Sequence, residues 1–152
     1  MTSAWGRYPD TILQFPSVGV DIDLRQPVSP RSLMVLAIGG LAKPFAVVTA
    51  CNPMGGSLDD SANQRLSAVL TALVQDRFPG ARPAHGASPD GTHVEPGWAI
   101  PAPLEEVRNL AARFFQNAMF WFDGARFSVV PVHTGGPSLM LPVEAPDRAA
   151  RR

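Results

Sequence analysis

The sequence predicts an α+β fold: an α/β sandwich in which a mixed, largely antiparallel sheet is covered by two long helices and one short helix. Three observations predict this class. Short apolar runs, some alternating and some continuous, indicate strands. Two longer stretches carry apolar residues at helical spacing. Finally, Asp123-Gly124 lies between two apolar runs, which is a strong signal for a hairpin.

The first half of the chain predicts two short strands, a short helix and a central strand. Residues 11–15 and 18–24 read as strands, and the second alternates apolar and acidic positions, as a half-buried strand does. Ser29 is a typical N-cap and Pro30 suits the first helical position, so a short helix follows over 32–38. The continuous apolar run 45–48 predicts a strand that is covered on both faces.

Two long helices are expected farther along. The first covers about 59–77, with Ser57 as its cap and Asp60 as the acidic half of a capping box. Its predicted apolar stripe consists of Ala62, Leu66, Val69, Leu70 and Leu73. The second helix opens at Pro103, and Asn117 is expected to close it in a left-handed conformation. Its predicted buried face consists of Leu104, Val107, Leu110, Ala111 and Phe114.

The remaining strands and the domain limits are predicted from the positions of Pro and Gly, which interrupt regular structure. Residues 81–93 read as irregular, and 94–100 as a strand interrupted near Pro96-Gly97. Residues 118–122 and 126–132 read as the two arms of a hairpin. We therefore expect an N-terminal extension over 1–10, one α/β domain over 11–133, and a Pro-, Ala- and Arg-rich tail over 134–152.

Composition excludes several functions. The 152 residues carry no net charge, which argues against general binding to nucleic acid. Cys51 is the only cysteine, so disulfides within the chain and CxxC metal sites are excluded, and a reducing compartment such as the cytoplasm is expected. No apolar run approaches the ~20 residues of a membrane span, although docking on a membrane complex stays open.

The loop after the apolar run 45–48 resembles a phosphate loop only superficially. It lacks the lysine of GxxxxGK[ST], and the helix after it begins with acidic residues that would repel an anion. Thr49 and Asn52 follow a buried strand, where open α/β sheets often present ligand groups, and Asn63 lies in the first turn of the next helix. The alternative interpretation is that these amides only tie the loop down by hydrogen bonds to the backbone.

The cysteine, histidine and aromatic side chains of the chain are better explained by structural roles than by catalysis or metal binding. Cys51 has no His in a recognisable catalytic context, so an inert thiol is expected. His93 and Glu95 would share one face of a strand, but further metal ligands would have to come from distant positions, so no metal is predicted. The aromatic residues between positions 114 and 122 are expected in the core, unless Phe115 and Trp121 emerge as an apolar patch for a partner.

Four short motifs, taken in order, resemble a bacterial family known as domain of unknown function 3293. They are TACNP (49–53), Asn63 in the following helix, Glu95-Pro96 before a strand, and FFQNA (114–118). The resemblance covers roughly residues 8–132. Cys51 replaces an aromatic residue of the family pattern, and Phe115 replaces a small one. The resemblance implies that Thr49, Asn52, Asn63, Glu95 and Gln116 belong together, and it implies no reaction.

Two functional hypotheses follow. The first is a non-catalytic interaction or accessory protein, possibly within a larger assembly, because motifs for a nucleophile, metal or cofactor are missing and aromatic residues are concentrated near the second long helix. Its expected partner is a protein, contacted through Phe115 and Trp121. The alternative is a protein or enzyme that binds a small polar ligand at Thr49, Asn52, Asn63, Glu95 and Gln116, with Glu95 as the candidate general base.

Overall fold

The computed structural model describes residues 8–53 and 56–143, which form three α-helices and two antiparallel sheets. The helices are α1 (Pro30–Ile38), α2 (Asp60–Arg77) and α3 (Leu104–Arg113). The strands are β1 (Ile12–Phe15), β2 (Val20–Asp23), β3 (Phe45–Thr49), β4 (Arg82–Pro83), β5 (His85–Ala87), β6 (Val94–Glu95), β7 (Gly97–Ile100), β8 (Ala118–Phe122), β9 (Phe127–Pro131) and β10 (Leu139–Met140). The α+β class predicted from the sequence is confirmed.

The strands divide into a large sheet, ordered β10-β9-β8-β3-β7-β4, and a small sheet, ordered β2-β1-β5-β6. Strand β3 lies inside the large sheet and is buried on both faces, as its continuous apolar run predicts. Phe45 and Val47 pack in the core shared with the small sheet and α1. Ala46 and Val48 pack in the core shared with α2 and α3. The large sheet is therefore the middle layer between two apolar cores.

One β-hairpin belongs to both sheets. Its arms pair as β4 with β7 in the large sheet and as β5 with β6 in the small sheet. The arms change sheets at Ala84, whose amide donates to the Gly97 carbonyl at 3.0 Å, and at Pro96, which has no amide hydrogen to continue a ladder. The break near Pro96-Gly97 was predicted, but β4 and β5 lie in the segment predicted to be irregular.

Helix α2 begins differently from the prediction. Ser57 is not its cap. Asp59 is the N-cap, and its Oδ1 accepts a hydrogen bond from the Ala62 amide at 2.7 Å. Asp caps a helix as well as Ser does, and the amide of Leu58, just before the cap, is already held by the side chain of Asn52. The capping box with Asp60 is therefore wrong.

The predicted buried stripe of α2 is correct in part, because Leu66, Leu70 and Leu73 pack against the core as predicted. Val69 is 53% exposed, whereas Leu70 and Val74 are buried. The inward face runs through Asn63, Ser67, Leu70 and Val74, at i, i+4, i+7 and i+11. This face is polar in the N-terminal half of the helix and apolar in its C-terminal half.

The C-terminal limits of the fold differ as well. Residues 139–140, within the predicted tail, form β10 on the edge of β9, and Leu141 is buried. The predicted N-terminal extension and the end of the tail lie largely outside the described residues. Among the helices of the described part, none has the length and apolar character needed to cross a bilayer.

Candidate functional site

A cleft of about 410 Å³ opens beside the N-terminal half of α2. That volume is within the usual range for small-molecule sites. Its walls come from three segments: the loop after β3, the inward face of α2, and the strand β6 with its neighbours. The lining residues are Cys51, Asn52, Asp60, Asn63, Gln64, Ser67, Thr92, His93, Val94, Glu95 and Pro96.

Asn52 and Asn63 join the loop to the helix by a reciprocal pair of hydrogen bonds. The backbone N–H of Asn52 donates to Asn63 Oδ1 at 2.9 Å, and the side-chain Nδ2 of Asn63 donates to Asn52 Oδ1 at 3.0 Å. Asn52 Oδ1 also accepts from the Leu58 amide at 3.0 Å. Asn52 has a φ of +49°, a left-handed conformation that Asn tolerates better than most residues. The side chains of Asn52 and Asn63 therefore hold the loop in place, as expected if their role is structural.

Glu95 lies on β6 and contacts the loop at Asn52. Its Oε1 accepts a hydrogen bond from Asn52 Nδ2 at 3.3 Å, and its Oε2 lies 3.5 Å from His93 Nε2. The Glu95 side chain is 30% exposed. An ionised carboxylate can accept about four hydrogen bonds, so these two long contacts leave acceptor capacity directed at the cleft.

Thr49 and Gln116 form a second, closed network beneath the same loop. Thr49 Oγ1 donates to Gln116 Oε1 at 3.4 Å, while Gln116 Nε2 donates to the carbonyls of Cys51 at 3.1 Å and Phe114 at 3.3 Å. Gln116 is buried, and these bonds use both of its donor hydrogens. Neither Thr49 nor Gln116 lines the cleft. Their role in this arrangement is to hold the end of β3 against the end of α3.

The end of α3 explains how Gln116 reaches that position. Phe114 is the C-cap, and Phe115, rather than Asn117, takes the left-handed conformation, with a φ of +54°. The amides of Phe115 and Gln116 donate to the carbonyls of Ala112 and Ala111, which is the Schellman arrangement. The left-handed position normally favours Gly, and in this chain it is occupied by a large aromatic residue. The prediction that Asn117 closes the helix is wrong.

Two titratable groups near Glu95 are held in their neutral forms. Burial raises the pKa of the Cys51 thiol, and the Glu95 carboxylate adds to that effect, while a contact of 3.6 Å between Cys51 Sγ and Ser67 Oγ acts against it. Burial likewise raises the pKa of Tyr8 to about 12, with a further contribution from Glu95. A raised thiol pKa disfavours the nucleophilic thiolate, consistent with the inert thiol expected for Cys51.

Tyr8 provides a direct test of its placement, because it is the only tyrosine of the chain. We expect its phenolate absorbance, recorded immediately after a rapid pH jump, to appear with a midpoint near 12 rather than 10. Because the folded pKa is above the unfolded one, the stabilisation is complete below pH 10 and is lost as the pH rises towards 12. In Glu95→Gln the midpoint should fall but stay above 10, since burial is the larger cause. An unchanged midpoint in that variant would contradict the placement of Glu95 near Tyr8.

The five candidate residues thus occupy two adjoining networks. Asn52, Asn63 and Glu95 line the cleft, and Thr49 and Gln116 lie beneath it. Ser67, Gln64 and Thr92 also line the cleft and were missed. For Ser67 the signal was available, since it lies four residues after Asn63 and so on the same face of the helix.

The two candidate residues for partner binding differ in their exposure to solvent. Phe115 is 58% exposed, whereas Trp121 packs against the core beside α2 and α3. Most of the neighbouring aromatic side chains are core residues, and the Phe45 ring meets Phe122 in a tilted pair and Phe127 edge-on. Within residues 8–53 and 56–143, no three His, Cys, Asp or Glu side chains are grouped closely enough to hold a metal ion.

Fold and site together define an α+β protein whose motif residues gather around one polar cleft and the strand end beneath it. Residues 48–119 match a protein-family model described as "Protein of unknown function (DUF3293)", and the resemblance to that family is confirmed. The matched segment contains all four motifs but is shorter than the predicted extent of 8–132. No curated protein and no solved structure has significant similarity to the chain.

Proposed function

We propose that the cleft binds a small polar ligand that is neutral or cationic and rich in hydrogen-bond donors. The observation that carries the proposal is the Glu95 carboxylate, which lines a cleft of about 410 Å³ with acceptor capacity to spare. Asn52 and Asn63 fix the wall beside Glu95, since their side chains are committed to one another and to the loop. A carboxylate held against a rigid amide pair is a preorganised acceptor for a donor group of a ligand.

The charges around the cleft select the ligand class. Asp60 and Glu95 are the acidic lining residues, and no Lys or Arg lies among the described residues that line it. His93 is the basic lining residue, and it faces Glu95. Two carboxylates without a fixed positive charge repel anions and favour ammonium, hydroxyl or amide donors.

Glu95→Gln tests this assignment. The substitution keeps the shape and the Oε1 acceptor for Asn52 but removes the charge, so the fold should be unchanged. For a ligand found by ¹H–¹⁵N NMR screening of neutral, cationic and anionic polar compounds, we expect affinity to fall by roughly tenfold to a hundredfold, the usual worth of a hydrogen bond to a charged group. Chemical-shift changes should map to residues 51–52, 60–67 and 92–96.

Glu106→Gln is the matched control, because Glu106 is a partly exposed glutamate on α3 and does not line the cleft. Its affinity for the same ligand should equal that of the natural sequence. Binding only by anionic compounds, or equal affinities in the Glu95→Gln and Glu106→Gln proteins, would refute the proposal.

A second candidate function, an interaction or accessory protein, is supported by Phe115. A large aromatic side chain that is 58% exposed occupies a left-handed position, where a non-Gly residue costs about 1–2 kcal/mol. A contact with a protein partner through the ring would explain why this position carries Phe.

Phe115→Asn tests two effects of the Phe115 side chain separately: the backbone strain at this position and the contact with a partner. Asn tolerates the left-handed conformation, so part of the cost of about 1–2 kcal/mol is relieved. We therefore expect the free energy of unfolding to rise in urea titrations, by about 1 kcal/mol at most. In native mass spectrometry of protein isolated from its own cells, a complex seen with the natural sequence should be lost. Val69→Asn, at another exposed apolar position, should retain that complex. A complex that survives Phe115→Asn would exclude the ring as the contact.

A further inference from the structure

A second hollow, of about 130 Å³, adjoins the polar cleft. The two share Ser67 and Pro96 in their linings. The hollow continues along the inward face of α2, which becomes apolar after Ser67. Cleft and hollow therefore adjoin between α2 and the hairpin that belongs to both sheets, and we call the two together the groove.

The hollow differs from the cleft in chemistry. Its walls are predominantly apolar and include Leu70, Pro83, Pro96 and Trp98, with Ser67, Thr71 and His85 as the polar members. Trp98 is held in place because its Nε1 donates to Thr71 Oγ1 at 3.1 Å. An apolar protein cavity of about 150 Å³ is known to accept benzene, so the hollow has room for a group of about that size.

We propose that the groove binds an amphipathic amine, with its ammonium group at Glu95 and a small aromatic or branched aliphatic group in the hollow beside Trp98. This inference rests on the proposed function, because it assigns the ammonium to the acceptor described above. The juxtaposition on which it stands is a carboxylate in a polar cleft, next to an apolar hollow that shares two lining residues with it. Burying the apolar group removes it from water, and a fully buried side chain of that size contributes a roughly tenfold to hundredfold gain in affinity.

The test compares three probes on the full chain by isothermal titration calorimetry: 2-phenylethylamine, ethylamine and 2-phenylethanol. We expect 2-phenylethylamine to bind roughly tenfold or more tightly than ethylamine, which lacks the ring. It should also bind more tightly than 2-phenylethanol, which lacks the charge. In ¹H–¹⁵N NMR spectra, the Trp98 Nε1–H resonance should shift on addition of 2-phenylethylamine and not on addition of ethylamine.

Two variants assign the parts of the ligand. Thr71→Leu fills the hollow and also removes the acceptor that holds Trp98, so both effects should remove the advantage of 2-phenylethylamine over ethylamine. Val69→Leu, at an exposed position of the same helix, should leave that advantage intact. Glu95→Gln should weaken both amines. If Thr71→Leu fails to fold, the probe comparison on the natural sequence still decides the question.

Three outcomes would overturn the inference. If the two amines bind equally and both weaken in Glu95→Gln, the apolar part is wrong and the proposed function stands. If 2-phenylethanol binds as tightly as 2-phenylethylamine, with no effect of Glu95→Gln, the ammonium assignment is wrong. If neither amine binds, this ligand class is wrong, and the wider screen of polar compounds decides the proposed function separately.

Discussion

Gly97→Ala should destabilise the protein by about 3 kcal/mol or more, the upper end of the cost of overpacking. A Cβ at this position would lie 2.5 Å from the Val48 carbonyl oxygen and 2.9 Å from that of Ala84. Both obstacles are backbone atoms, so relief requires moving β3 or the hairpin arm rather than turning a side chain. Urea titration would report the loss as a lower midpoint.

Gly86→Ala provides the control on the same hairpin. A Cβ there would meet only Thr11 Cγ2, at the ordinary contact distance of 3.7 Å. Its free energy of unfolding should change by less than about 1 kcal/mol, with a gain as the expected direction because Ala restricts the unfolded chain. If Gly97→Ala were as stable as Gly86→Ala, the close packing of β7 on β3 would be refuted.

Asn52→Ala has the second largest expected effect, a loss of about 3 kcal/mol. Ala in the left-handed conformation costs about 1–2 kcal/mol, and each lost hydrogen bond adds about 0.5–1.5 kcal/mol. The lost bonds are those with Leu58, Asn63 and Glu95. The pairing of loop and helix at the cleft therefore depends on this one side chain.

Asn52→Gly separates the two contributions. Gly adopts the left-handed conformation without a steric penalty, so this variant should lose only the three side-chain bonds, about 1.5 kcal/mol at the lower end of their range. The difference between the Ala and Gly variants, measured by urea titration, gives the backbone contribution. Equal stabilities of the two variants would show that position 52 is not left-handed.

Locally encoded features of the fold were predictable from the sequence. Ser29 and Pro30 begin α1 as predicted, and the Ser29 side chain accepts from the Ser32 amide. The Asp123-Gly124 turn joins β8 to β9, with Asp123 Oδ1 accepting from two amides of the turn. Such signals lie within a few residues of the structure they specify.

Features that depend on distant residues were not predictable in the same way. Pro96 marks where one hairpin arm leaves its ladder, but the partner that each half of the hairpin takes depends on the distant strands β1 and β3. At the N-terminus of α2, Ser57 and Asp59 both satisfy the capping rule, and the bond from Leu58 to Asn52 accompanies the choice of Asp59.

The candidate site shows the same division. The strand-end position of Thr49 and Asn52 was visible in the sequence, but only the family resemblance joined them with Glu95 and Gln116. Periodicity could not show that Gln116 has its hydrogen bonds filled whereas Glu95 does not, because that depends on contacts over more than forty positions of chain. Ser67 was missed because the predicted buried stripe of α2 contained only apolar positions, such as Leu66, and so left out the polar residue beside it.

The shared hairpin also bears on how the chain folds while it is being synthesised. Strand β1 needs β5 for its second partner, while β3 needs β7 and β8, so both apolar cores wait for residues made long after the first strands. A nascent chain that ends before Ile100 holds the apolar strand β3 with neither of its neighbours complete. Pairings this far apart in sequence fold slowly, and the growing chain therefore carries an exposed, aggregation-prone strand that the finished protein buries.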